Sequence, residues 1–319
     1  MREYRIGDCL EVLRSLPSGL VNTCVTSPPY WGLRDYGHQG QIGLEETPDE
    51  YVERMVEVFR EVRRVLRDDG TLWLNLGDSY AGSWGNQGRK QTRGTQRAIN
   101  GGMLTPVNDG RYPSKKSNTG AIPRGTDLKQ KDLVGIPWMV AFALRADGWY
   151  LRSDIIWQKP NAMPSSVKDR PTTAHEYVFL LSKSRRYYYD SESVREPHSG
   201  KPSGNGFDGR MGGSRGHANG GGIGSSSKFK PGAGRNRRTV WTLPSVPYKG
   251  AHFATYPPAL ITPCILAGCP EGGIVLDPFF GSGTTGMVAG SLGRGWLGIE
   301  LNPEYETLIR ERTSQGGLL

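Results

Sequence analysis

The sequence predicts an α/β fold: a doubly wound, mostly parallel sheet carrying two long basic insertions. Three observations predict it. Short apolar runs of strand length alternate with longer helical segments, the pattern of a parallel sheet covered on both faces. Two of those runs end in loops of unusual composition, Thr26-Ser27-Pro28-Pro29-Tyr30-Trp31-Gly32 and Asp277-Pro278-Phe279-Phe280-Gly281-Ser282-Gly283-Thr284-Thr285-Gly286. Positive charge is concentrated in two glycine-rich stretches. Residues 85–131 and 195–249 each hold ten Lys or Arg against two acids, which leaves −7 on the remainder of a chain whose total is +9. Concentrated charge of this kind is the footprint expected for a polyanionic partner.

The elements follow in order. Tyr4–Ile6 reads as a short strand and Val21–Thr26 as a buried one, stopped by Pro28-Pro29. Thr47-Pro48-Asp49-Glu50 is a helix start, with Thr as N-cap, Pro in the first turn and Glu closing a capping box. The helix behind it places Val52, Met55, Val56, Phe59, Val62 and Leu66 on one face. Asp68-Asp69-Gly70 should stop it, and Thr71–Leu76 should be a strand. Residues 77–131 break the pattern. The alternation resumes with a helix from Pro137 to Ala146, strands at Tyr150–Gln158 and Glu176–Ser182, and a third at Arg185–Asp190. Residues 195–238 are again Gly, Ser and Arg-rich, and a stretch of that length without periodicity is a functional or disordered segment rather than core. The last part returns to α/β: helix Pro257–Gly268, strand Gly273–Leu276, helix Thr284–Leu292, strand Trp296–Ile299 and a closing helix Pro303–Arg312. This divides the chain into 1–76 with 132–194 as one half of a core, 250–319 as the other half, and 77–131 and 195–249 as insertions.

Composition excludes several classes. The 319 residues have a mean hydropathy of −0.52, and no run approaches the roughly twenty apolar residues of a membrane span. The opening MREYRIGDCL lacks the apolar stretch of a secretion signal. Cys9, Cys24, Cys264 and Cys269 form no Cys-x-x-Cys pair, and the five histidines complete no zinc pattern. The expectation is a cytoplasmic protein with reduced thiols, no metal and no membrane partner.

Two loops carry the chemistry. In the second, Gly281 and Gly283 let a ligand approach the backbone closely. Glu300 ends the next strand, where a carboxylate can accept hydrogen bonds from both hydroxyls of a ribose. Asp277 argues against a pyrophosphate, which it would repel, and suits a cationic amino group such as that of a methionine moiety. In the first loop, two prolines remove two N–H donors. The Ser27 hydroxyl and the Pro28 carbonyl remain as acceptors beside the ring of Tyr30. The amino nitrogen of a nucleobase is a poor nucleophile because its lone pair is delocalised. Two acceptors on its hydrogens can turn that lone pair toward an incoming methyl group. Tyr30 could stack on a base swung out of its duplex, offsetting part of the unstacking cost of a few kcal/mol. Both loops sit at carboxyl ends of strands, where open α/β sheets bind ligands.

At these residues the chain resembles the amino-methyltransferases of bacterial restriction–modification systems. TSPPYWG resembles their catalytic block and VLDPFFGSGTTG their cofactor block, in the permuted order of the family's β group. Gly7-Asp8-Cys9-Leu10, Asp154–Pro160 with Lys168-Asp169-Arg170-Pro171 and His175-Glu176, His252–Pro257 and Trp296–Glu300 resemble further blocks. The resemblance implies a Rossmann-like methyltransferase fold and S-adenosylmethionine as cofactor. It implies catalysis at Ser27, Pro28, Pro29 and Tyr30, and cofactor contacts from Asp8, Phe253, Ala254, Asp277, Phe279, Gly281, Gly283, Thr284 and Glu300. Double-stranded DNA is the implied substrate, with target recognition in the insertions and Arg210, Arg215, Arg235, Arg237 and Arg238 as its candidates. A cognate restriction endonuclease is the implied biological partner. Serine at position 27 favours cytosine N4; adenine N6 is the alternative, since enzymes for that target usually carry Asp or Asn there. Pro263-Cys264 has the spelling of a carbon-5 nucleophile but sits in an apolar helix and reads as core. For His175 an orienting role and a structural hydrogen bond are both open. Two other classes remain. A nicotinamide-dependent oxidoreductase would explain Gly281-x-Gly283-x-x-Gly286 and Glu300 but not Ser27–Tyr30. A non-catalytic DNA-binding module would explain the charge but leave both loops idle.

Overall fold

In the computed structural model, residues 1–33, 38, 40–82, 126–197, 234–245 and 256–314 are described. Eight strands form one sheet: β1 (Arg2–Ile6), β2 (Val21–Thr26), β3 (Leu66–Leu76), β4 (Tyr150–Gln158), β5 (His175–Ser182), β6 (Val240–Thr242), β7 (Ile274–Asp277) and β8 (Gly295–Glu300). The helices are α1 (Cys9–Ser15), α2 (Pro48–Val65), α3 (Ile136–Ala146), α4 (Pro258–Gly268), α5 (Thr284–Ser291) and α6 (Glu306–Ser314), the last preceded by a 3₁₀ turn at Pro303–Tyr305. The strand order is β1-β8-β7-β2-β3-β5-β4-β6. Pairings are parallel except where β5 lies antiparallel between β3 and β4. From β2 the chain moves to β3 on one side; from β7 it moves to β8 on the other. The boundary between β7 and β2 is therefore the topological switch point, where the crevice of such a sheet opens. Two apolar cores lie on opposite faces, one built on α2 and α3, the other on α4 and α5.

The capping box of α2 is present, with Thr47 Oγ1 accepting from Glu50 N and Glu50 closing back on the Thr47 N–H. The buried face of this helix is rotated from the one read in the sequence. Tyr51, Met55, Val58, Phe59, Val62 and Val65 are buried, whereas Val52 and Val56 are half-exposed. Tyr51 sets that rotation by sending its hydroxyl to the Pro29 carbonyl at 2.9 Å. The helix ends at Val65 and β3 begins at once, so Asp68-Asp69-Gly70 lies within the strand, the two acids exposed and the glycine buried, and does not cap the helix. Leu66 is buried and pairs with Val21, which recruits this segment to the sheet.

Residues 185–190 form no strand. Their main chain makes single bonds, Tyr188 N to Asp69 O and Asp190 N to Ala267 O, while Tyr189 stacks on Trp73.

The second insertion is shorter than 195–249. Val240–Thr242 pairs with β4 as an edge strand, with Trp241 buried, so this part belongs to the core. Glu196 and Arg235 form an antiparallel bridge with two main-chain bonds of 2.8 and 3.0 Å. Tyr80 and Leu133 bridge likewise, supported by Ala81 N to Asp132 O at 2.8 Å. Each insertion is thus entered and left at a paired stem.

Candidate active site

The switch point is tied together by side chains from both motif loops. Thr26 Oγ1, at the end of β2, donates to Asp277 Oδ1 at 2.6 Å at the end of β7. Thr285 Oγ1 donates to Asp277 Oδ2 at 2.5 Å, Tyr256 Oη to Oδ2 at 3.0 Å and Phe279 N to Oδ1 at 3.1 Å. Asp277 is 2% exposed, and burial pushes its carboxyl above the ordinary range against the pull of these donors. It is absent from the lining of the neighbouring cavity. Where the sequence reading set Asp277 against a cationic amino group, the geometry shows four internal donors on its two oxygens, and its visible work is to brace the two loops.

Glu300 behaves differently. It ends β8, which pairs in parallel with β1 and with β7. Its Oε2 accepts from Gly281 N at 2.7 Å and its Oε1 from Asn302 N at 2.8 Å. Each oxygen keeps further lone-pair capacity, and the residue lines the cavity. Burial raises this carboxyl too. Asp8 lies beside it because β1 is the neighbour of β8, with Ile6 opposite Glu300. Its Oδ1 caps α1, accepting from Leu10 N and Glu11 N at 3.0 Å each, and the residue also faces the cavity.

The glycine-rich turn needs its glycines. Gly281 and Gly283 have φ of 53° and 79°, a region costly for side-chain residues. Both phenylalanines border the cavity, but they differ in packing: Phe280 is buried and stacks on Trp296, while Phe279 is the more exposed of the two.

Ser27, Pro28, Pro29 and Tyr30 line the same cavity, which measures about 790 Å³, within the range of small-ligand sites. Ser27 Oγ donates to Tyr30 Oη at 3.4 Å, and Tyr30 Oη donates to Glu176 Oε2 at 2.8 Å. Burial pushes the Tyr30 phenol well above its usual range, so it keeps its proton. Gly281, Thr284, Glu300 and Asp8 share this cavity, so the structure brings the two sequence motifs together; Gly283 only shapes the turn.

Among the lining residues, Asn75 has no place in the sequence reading, and Lys159 and Glu176 enter it only inside the blocks Asp154–Pro160 and His175-Glu176, with no role assigned. Asn75 gives a signal, being the one polar residue in Leu72-Trp73-Leu74-Asn75-Leu76. Glu176 is less legible because β5 is antiparallel: the beginning of that strand, not its end, meets the carboxyl edge of β3.

Phe253, Ala254, Arg210 and Arg215 lie outside the described residues. Arg235 and Arg238 both pair with Glu196, at 3.3 and 3.1 Å, and the Arg237 guanidinium stands 4.6 Å from the Trp241 ring centre. These three arginines brace the stem and the edge strand. His175 is exposed, edge-on to Tyr177, and not in the cavity lining. Cys264 is buried in α4 with its thiol pushed up by burial, which leaves no thiolate for attack at carbon 5. Among the described residues, no group of three His, Cys, Asp or Glu could hold a metal, and no helix is long and apolar enough to cross a membrane.

Comparison with known proteins agrees with this architecture. The DNA methylase family profile matches residues 21–311. Type II methyltransferase M.Cfr9I of Citrobacter freundii is 51% identical over 310 residues, covering 96% of this chain and 85% of that protein. Type II methyltransferase M.XycI of Xanthomonas campestris pv. cyanopsidis is 49% identical over 308 residues, with the same two coverages. Among solved structures, the PvuII DNA methyltransferase (cytosine-N4-specific) superposes with a TM-score of 0.61 at 19% identity, over 97% of this chain and 85% of that one. M1.HpyAVI in complex with S-adenosylmethionine gives 0.52 at 17% identity, over 98% of both chains. With a family match across most of the chain and both motif loops opening on one crevice, this chain belongs to the DNA methylase family and is a DNA methyltransferase of restriction–modification type.

Proposed function

We infer that the chain transfers a methyl group from S-adenosylmethionine to N4 of a cytosine extruded from double-stranded DNA. The observation that carries the reading is the Ser27 hydroxyl, set in one cavity with Tyr30 on one side and Asp8, Phe279 and Glu300 on the other. The cofactor supplies an electrophilic methyl group. Residues present fit its nucleoside end: Glu300 has lone pairs for the ribose hydroxyls, the uncommitted Asp8 oxygen can accept from an adenine amino group, and Phe279 offers an apolar face. Gly281, Gly283 and Thr284 shape the turn beneath it. Ser27 Oγ and the Pro28 carbonyl accept from the target amino group, and Tyr30 walls the base pocket. Serine at position 27, where the family's adenine enzymes usually carry Asp or Asn, supports cytosine over adenine. Cognate DNA is read by the insertions, and a restriction endonuclease of the same specificity is the expected companion.

The test is incubation with S-adenosylmethionine and mixed-sequence duplex DNA, followed by nucleoside mass spectrometry. N4-methylcytosine is expected, and Ser27→Ala should abolish most of it while still binding cofactor. N6-methyladenine as the product would overturn the cytosine assignment and keep the rest.

A further inference from the structure

Beneath the base pocket, three side chains outside the two motif loops converge on Tyr30. Glu176 Oε2 accepts from Tyr30 Oη at 2.8 Å and from Asn75 Nδ2 at 3.2 Å. Glu176 Oε1 is ion-paired with Lys159, whose ammonium stands 4.2 Å from the Trp157 ring centre. The acid and the lysine are only 18% and 20% exposed. Asn75 also donates to Tyr177 O at 3.0 Å, so its amide orientation is fixed. Its Oδ1 is a second acceptor for the Tyr30 hydroxyl, at 3.3 Å. The hydrogen bonds run in one sense: Ser27 to Tyr30 at 3.4 Å, then Tyr30 to Glu176. A largely buried ion pair contributes little to net stability once desolvation is counted. Folding alone therefore does not explain two charges, an aromatic cation partner and a buried amide gathered at the pocket floor. Methyl transfer, by contrast, has a need for them, because the target nitrogen ends the step with a surplus proton.

We propose that Glu176 is a positioning residue for methyl transfer, fixing Tyr30 and through it Ser27, and receiving the proton that the base amino group gives up. This rests on the reading above. The amino nitrogen displaces sulfur from the methyl carbon, and the electron pair of the broken bond stays on sulfur. The nitrogen then releases one proton to Ser27 Oγ. Ser27 passes its own proton to Tyr30 Oη, and Tyr30 passes its own to Glu176 Oε2. Both hydroxyls end neutral, as they began. Glu176 ends as a neutral acid beside Lys159 and returns the proton to solvent. The Lys159 ammonium is the counter-ion of Glu176 at the far end of the chain.

Glu176→Gln keeps the shape and an acceptor for Tyr30 but cannot take a proton. Tyr30→Phe keeps the ring and cuts the chain. The experiment measures single-turnover methyl transfer on the duplex that the wild type methylates. It also measures cofactor affinity by calorimetry and base extrusion by 2-aminopurine placed beside the target. Each variant should slow transfer by about 100-fold or more, the usual scale of a lost proton acceptor. Cofactor affinity and extrusion should stay within about twofold, and the double variant should be no slower than the slower single, since the groups act as one unit. Glu176→Asp should recover part of the rate. Transfer by Glu176→Gln within about threefold of wild type would overturn the proposal, as would losses that multiply in the double variant. So would loss of cofactor binding or extrusion with the transfer rate intact, which would mark Glu176 as structural only. A wild type that methylates no DNA would bring down the underlying reading, and this proposal with it.

Discussion

At the residue scale, Asp277 shows how one side chain can tie a site together from beneath it. It collects Thr26, Thr285, Tyr256 and the Phe279 N–H, and so locks the end of β2 to the end of β7. Two replacements separate this brace from a direct grip on a cationic ligand group. Asp277→Asn leaves hydroxyl partners that can turn to accept as well as donate, so cofactor affinity should fall only a few-fold. Asp277→Ala strands four donors and should cost about 1–3 kcal/mol of stability or more. Calorimetry and denaturant melts decide it: a loss of cofactor binding by the Asn variant as deep as that of the Ala variant would restore a direct role. This residue also marks how far the sequence could be read. The position of the acid was legible, at a strand end before a glycine turn. Its orientation was not, because Tyr256 comes from 21 positions away and Thr26 from 251. Glu300 and Asp8 were legible in position and in direction, since each sits where a strand ends and its neighbour is fixed by the pairing of β1 with β8.

At the scale of elements, α2 both covers the sheet and holds the Ser27–Tyr30 turn. Its Tyr51 is fully buried and its hydroxyl satisfies the Pro29 carbonyl, which the prolines beside it leave without a partner in the turn. On the other side, Gly77 leaves room for Tyr30: a Cβ there would stand 2.6 Å from the ring. The turn is therefore clamped between a helix and a strand end. Tyr51→Phe should lower stability by about 1 kcal/mol, the worth of one such bond, and slow methyl transfer with cofactor affinity unchanged. A urea melt and a single-turnover assay check this, and an unaltered rate would show that the turn is rigid without the helix. The helix itself was visible in the sequence through its capping box and 3.6-residue period. Its rotation was missed because the periodicity of Val52, Met55, Val56 and Phe59 tolerates two neighbouring faces, and only the hydrogen bond of Tyr51 chooses between them. The misplaced strand at 185–190 has a related cause. Tyr187, Tyr188 and Tyr189 have the composition of a strand, yet the main chain there bonds to one residue at a time on two different partners.

At the scale of the whole molecule, the permuted order works because β1 and β8 are neighbours while the two motif loops belong to β2 and β7, also neighbours. The alternation of strands and helices was enough to predict this sheet. It was not enough to place β6, whose three residues follow a long glycine-rich stretch and carry no period of their own. The second paired stem yields a test. Residues 199–233 can be replaced by a short Gly-Ser link while Glu196 and Arg235 keep their bridge. The variant should melt within a few degrees of the parent and bind cofactor as before. It removes Lys201, Arg210, Arg215, Lys228 and Lys230, so DNA affinity should fall and its salt dependence flatten by roughly one unit for each phosphate no longer neutralised. DNA binding unchanged at every salt concentration would place recognition in the first insertion.

The paired stems carry a further consequence for how such proteins diversify. Because entry and exit of each insertion are already held side by side by the core, the sheet is largely indifferent to how much chain is inserted between them. Doubling an insertion costs only about 0.6 kcal/mol of closure entropy, less than a single lost hydrogen bond. Segments of different length and sequence can thus be spliced into the same two sockets, at Glu196–Arg235 or at Tyr80–Leu133, without disturbing the cavity. A set of chimeras exchanging only these segments among relatives should keep one unchanged engine, and a shift of sequence preference with the exchanged segment is the outcome expected if the segments do the reading.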